Sequence, residues 1–237
     1  MGVRTMSNAK MKMVTTNVFH RLGVGMAITL AWVIGVEVLV SLAGLIFNHN
    51  VESFLVTLRG IPGNLTFFIS AVLMIYFLIT PYVDFKWAIQ NGISRKTMWR
   101  GRFVALFLAT LVIYVVDELL ALTNHPFPGA GTLLEHFLTL LTVTLTFQAV
   151  GNGFGILSRR WKWIVGIGLP VALIIIMWAM AGLLIKLLEV GFISNHNDQW
   201  IGVFGNPVVP WVIWLIYFVI ILFLTKVFND RLQLRRD

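Results

Sequence analysis

Six apolar runs, each close to the ~20 residues that a helix needs to cross a bilayer, dominate this sequence. They cover about 22–47, 65–82, 103–122, 132–157, 163–188 and 208–228. In hydrocarbon every backbone N–H and C=O must find a partner within the chain, so runs of this length are read as helices. The chain is 58% hydrophobic and 12% charged, far more apolar than a soluble core within 237 residues can hide. The fold class predicted is an all-α integral membrane protein, one transmembrane domain over 1–237. The first run is too long for the apolar region of a signal peptide and lacks a cleavage site, so it reads as a retained span. Met11 to His20, which mixes apolar and polar residues, reads as an interfacial helix leading into it.

Charge sorts cleanly on this scheme. Of the 18 Lys and Arg residues, all but Arg59 and Lys186 fall on one side of a six-span arrangement. By the positive-inside rule that side is cytoplasmic, which puts both termini in the cytoplasm of a multi-pass cell-membrane protein. The net charge of +8 sits in four short groups between apolar runs, with no continuous basic groove interleaved with stacking aromatics, so nucleic acid is discounted as a partner. The absence of cysteine removes disulfides, thiol nucleophiles and cysteine metal sites.

The connections are read from their turn residues. Asn48 to Asn64 is a polar connection closed by Gly60-Ile61-Pro62-Gly63, and Pro81 ends the second span. Thr123 to Gly129 is a turn, Ser158 to Lys162 a tight basic turn, and Val190 to Pro207 an aromatic segment at the interface.

The stretch from Val83 to Arg102 is the most structured of the polar interruptions. If Asp84 to Asn91 is helical, Phe85, Ala88 and Ile89 share one face while Asp84, Lys86, Gln90 and Asn91 lie elsewhere. Asn91-Gly92 then ends that helix, and Ser94 caps a new one whose first turns carry Arg95, Lys96, Arg100 and Arg102. Two readings are open: a cytoplasmic loop that is basic for topology alone, or a docking surface for a soluble partner. Topology needs charge but not an amphipathic helix, a glycine stop and a fresh cap.

Few residues point to chemistry. There is no G-x-x-x-x-G-K-[ST] loop, no H-E-x-x-H and no G-x-S-x-G, so neither a nucleotide site nor a catalytic residue is assigned. Glu135 and His136 are adjacent and point about 100° apart on a helix, so they do not present ligands to one metal. Glu37, near the middle of the first span, carries an insertion cost of about 2.5–3.5 kcal/mol. It is either a protonated or hydrogen-bonded helix contact, or part of a substrate or ion pathway. Thr142, Thr146 and Gln148 make the fourth span polar and are candidates for the same pathway. Gly151 and Gly155 allow close helix approach there, and Asp117-Glu118 sit nearer the far interface.

On these features the chain resembles the permease subunits of the ABC-2 transporter class. The resemblance rests on six spans with cytoplasmic ends, on the amphipathic segment between spans 2 and 3, and on Ala88-Ile89-Gln90-Asn91-Gly92-Ile93-Ser94-Arg95-Lys96 opening the third span. The aromatic connection between spans 5 and 6 adds to it. It implies a short cytoplasmic coupling helix around Asp84, Phe85, Lys86, Ala88, Ile89, Asn91, Gly92 and Arg95. It also implies cytoplasmic ATPase subunits holding ATP and Mg, a second permease chain, identical or different, and no cofactor in this chain. Export of a peptide, drug or lipid-like substrate would follow, with ATP hydrolysed by the partner and no enzymatic activity here. The other reading is a membrane protein that works without an ATPase, such as an intramembrane enzyme or an immunity protein.

Overall fold

The computed structural model describes residues 2–48, 51–123, 128–158, 160–168, 171, 175, 178 and 208–233, and among them the regular structure is helical with no strand. Five helices are long and apolar enough to cross a membrane: Ser7–Phe47, Phe54–Ile79, Arg95–Ala121, Ala130–Ile156 and Val208–Arg231. The chain is therefore an all-α, multi-pass membrane protein. Most of the predicted span 163–188, and the connection 190–207, lie outside the described residues.

Helix α1 runs unbroken over Gly2–Asn48. At 1.5 Å per residue it is about 70 Å long, more than twice the ~30 Å hydrocarbon core. The interfacial segment predicted for Met11 to His20 is thus the outer half of the same helix that forms the first span. Its buried stripe is Val14, Val18 and Leu22, at the i, i+4 spacing of one helix face. Thr15 Oγ1 ties that stripe to the start of a later helix by donating to Gly101 O at 3.1 Å.

Helix α2, Val51–Ile79, corrects the reading of Asn48 to Asn64 as a polar connection. It passes through Pro62, which removes one backbone N–H bond without stopping the helix. Thr66 Oγ1 donates to Pro62 O at 3.2 Å in the same turn. The helix ends where Thr80 bends and Pro81 opens helix α3, Pro81–Gln90. A proline suits that first position, because its missing N–H would have no helical partner anyway.

Helix α3 closes with a glycine motif. Gly92 N donates to Ile89 O at 3.0 Å and Ile93 N to Ala88 O at 2.9 Å. Gly92 takes φ +62°, the left-handed conformation that a side chain disfavours. Ser94 then caps helix α4, Arg95–Ala121, by accepting from Thr97 N at 3.3 Å. The stop and the cap read from the sequence are both present.

Helix α5 covers Ala130–Ile156 and helix α6 Val208–Arg231. The chain divides into two compact units, Met1–Gly155 with Thr225–Asp237, and Ile156–Leu224. In the second, residues 160–168 are helical, and Trp214 stacks on Phe218 with ring centroids 5.2 Å apart along α6. In the first, the last turns of α6 are bound to α4 and α5. Arg95 Nη1 donates to Asp230 O at 2.8 Å, and Asn152 Nδ2 to Thr225 O at 3.1 Å. A cation on the final carbonyls of α6 also complements that helix's dipole.

Candidate functional site

The elbow formed by the end of α2, all of α3 and the start of α4 gathers the polar chemistry of the first unit. Its centre is Asp84, which is 2% exposed. Asp84 Oδ1 receives Arg21 Nη1 of α1 at 2.7 Å, and Oδ2 receives Arg102 Nη1 of α4. Arg102 is 1% exposed, places its guanidinium 5.7 Å from the Phe77 ring centroid, and reaches Thr80 Oγ1 at 3.5 Å. One carboxylate thus joins three helices through two guanidiniums, and the short α3 is bound to both α1 and α4.

Such a triad is rigid because its parts are costly to separate. A buried guanidinium left without its carboxylate is an uncompensated charge in a low dielectric, which is what makes breaking a buried pair expensive. Outside the triad, Lys10 Nζ of α1 donates to Gly92 O at 2.6 Å, so α1 also holds the far end of α3.

The apolar face of α3 points inward. Phe85 is 1% exposed and Ala88 0%, with Ile93 buried just beyond them and Ile89 half-buried. Phe85 and Ala88, among the residues implied for a coupling helix, are therefore packed within this chain. The exposed edge is instead Val83, Lys86, Gln90, Asn91 and Gly92, continued by Arg95, Lys96 and Arg100 at the start of α4. Arg95 also lies 5.6 Å from the Phe85 ring centroid, which covers that ring from the α4 side.

Sequence reasoning counted Arg21 and Arg102 as topology charges and missed the triad. A signal was present: Met98, Arg102, Ala105 and Ala109 share one helix face, and an arginine on an otherwise apolar stripe requires a buried acceptor.

The other predicted residues are not gathered with the elbow. Glu37 lies about 24 Å along α1 from Arg21, so the two are not part of one site. Its Oε1 accepts from Asn64 Nδ2 at 2.6 Å. Two more polar pairs occupy the same end of the molecule: Ser70 Oγ with Asp117 Oδ2 at 2.7 Å, and His136 Nδ1 with Glu118 Oε1 at 3.0 Å.

On α5, the hydroxyls of Thr142 and Thr146 donate to Leu138 O at 2.6 Å and Thr142 O at 2.8 Å. Gln148 is buried, and its Oε1 has no hydrogen-bond partner among the described residues.

No protein-family model matches the chain, and neither a curated protein nor a solved structure is similar to it.

Proposed function

We propose that the chain is the membrane-spanning permease subunit of an exporter driven by a separate cytoplasmic ATPase, with α3 as the coupling helix. The observation that carries this reading is the mounting of α3. A ten-residue helix at a membrane elbow is fixed to two long helices by a buried ion triad and presents a polar, basic edge outward. A partner that presses on that edge moves α1 and α4 with it, because Asp84 cannot shift without drawing Arg21 and Arg102 along.

The docking edge in this proposal is Lys86, Gln90, Asn91 and Lys96, while Phe85 and Ala88 anchor the helix from within. The partner contributes acidic or polar groups to meet those lysines, together with ATP and Mg. A second permease chain completes the pathway, and the basic end faces the cytoplasm with both termini. The full six-span count belongs to the same proposal, with the run at 163–188 as its fifth span.

The test is recovery of ATP hydrolysis with the chain. Gently solubilised from its native membrane, the tagged chain is expected to bring down a nucleotide-hydrolysing subunit. Lys86→Glu with Lys96→Glu is expected to lower the recovered activity severalfold at equal chain recovery, since reversing rim charges weakens association without unfolding either partner. Pull-downs without any nucleotide-binding subunit would leave the ATPase-independent reading in its place.

A further inference from the structure

A groove of ≈ 350 Å³ lies between α1 and α2 at the end of the molecule away from the triad, lined among others by Ile28, Trp32, Val33, Val36, Glu37 and Phe68. Its walls are apolar and aromatic, and it carries a single ionisable group. Among the described residues, no cation pairs with the Glu37 carboxylate, which is held only by the amide of Asn64. Trp32 is 71% exposed along this groove and Phe68 is exposed as well. A carboxylate beside aromatic rings at membrane depth is the combination that attracts a weakly hydrated cation, through charge and through the ring quadrupoles.

A second groove provides the contrast. It lies between α1, α2 and α4 nearer the basic end, holds ≈ 250 Å³, and is lined by Leu22, Met26, Leu30, Ile69, Ala109 and Ile113 among others. It has no charged group and selects no charge. Of the two grooves, the one at Glu37 combines an apolar body site with a carboxylate.

We infer that the groove between α1 and α2 binds amphiphiles that join a cationic head to an apolar body, with Glu37 as the counter-charge. As the substrate class of an exporter this rests on the permease reading; as a binding site it stands on the groove. The positive head sits at Glu37, Trp32 and Phe68 flank it, and the apolar part lies along Ile28, Val33 and Val36. A neutral amphiphile of the same bulk gains the apolar contacts but not the charge.

Tetraphenylphosphonium is a suitable probe, measured by equilibrium dialysis against the purified full chain in detergent. Saturable binding is expected, at least tenfold weaker in Glu37→Gln and largely retained in Glu37→Asp. Trp32→Leu is expected to weaken it severalfold, and because that ring is mostly exposed its truncation leaves the fold intact. Asp117→Asn, which removes a carboxylate outside the groove, is expected to have no effect. Equal binding by the parent, Glu37→Gln and Trp32→Leu would overturn the inference, as would equal affinity for the neutral triphenylphosphine oxide. The ATPase is absent from this experiment, so failure here removes the substrate class alone, whereas failure of ATPase recovery removes the permease reading and leaves the site.

Discussion

Asp84→Asn is expected to be the most damaging single change in the elbow. The variant keeps the shape of the side chain but withdraws the charge that both guanidiniums share, and Arg102 is then a buried cation with no counter-charge. Breaking a buried pair from one side costs about 3–5 kcal/mol, a large part of the stability of a typical domain. The readout is the fraction of chain that remains monodisperse after mild heating in detergent. Lys86→Gln, two residues away on the exposed edge, is expected to leave that fraction unchanged.

A second variant separates this account from simple sensitivity of the position. Replacing a buried ion pair by apolar side chains is often neutral, so Asp84→Leu combined with Arg102→Met is expected to recover most of the lost stability. Arg21 needs no replacement because its side chain is 37% exposed and can be solvated. If the double variant is as unstable as the sum of the two single ones, the triad is not a coupled unit.

Gly151→Ala is expected to be the second severe change. A Cβ there would collide with the carbonyl oxygens of Leu78 and Phe77, backbone atoms of α2 just before the bend at Thr80. Backbone cannot rotate aside as a side chain does, so α5 would have to move off α2, and overpacking of this kind costs about 1–3 kcal/mol or more. Two neighbours grade the effect. A Cβ at Gly155 meets Leu232 Cδ2 at 2.7 Å, the mobile end of a side chain, and one at Gly153 meets Phe228 at 3.5 Å, ordinary contact distance. Thermal stability should therefore fall in the order Gly151→Ala, Gly155→Ala, Gly153→Ala, with the last close to the parent. Equal stability for all three would mean that α2 and α5 do not meet as described.

How much of this was legible in the sequence depends on which signal each feature leaves. Five of the six predicted spans were legible because hydrocarbon forces long apolar runs into helices. The stop of α3 and the cap of α4 were legible because Gly92 and Ser94 have specific backbone preferences. The start of α3 was not, since Pro81 opens the helix that the sequence reading begins at Asp84. Nor was the start of α2. Gly60-Ile61-Pro62-Gly63 carries every mark of a turn in water, but α2 continues through it as membrane helices continue through proline and glycine.

The elbow was half legible. Periodicity shows that Phe85 and Ala88 share a face, but not whether that face meets the same chain or another. What decides it is Asp84: its two partners, on α1 and α4, draw that side of the helix inward. Arg21 and Arg102 are distant from it in sequence, and only the fold brings the three together. Glu37 stood out as a charge within a span, yet its aromatic surroundings include Phe68 from another helix, which no local pattern reveals.

In the proposed permease the exposed edge of α3 is where a nucleotide-hydrolysing partner sits. A photo-crosslinking amino acid at Gln90, with a second at Thr123 just past the far end of α4, tests it in intact cells. Both positions are exposed, and neither belongs to the triad. Gln90 is expected to capture an ATP-binding subunit, identified by its phosphate-loop peptide, while Thr123 captures none. Absence of any nucleotide-binding protein from the Gln90 adducts, or its equal capture from Thr123, would contradict it.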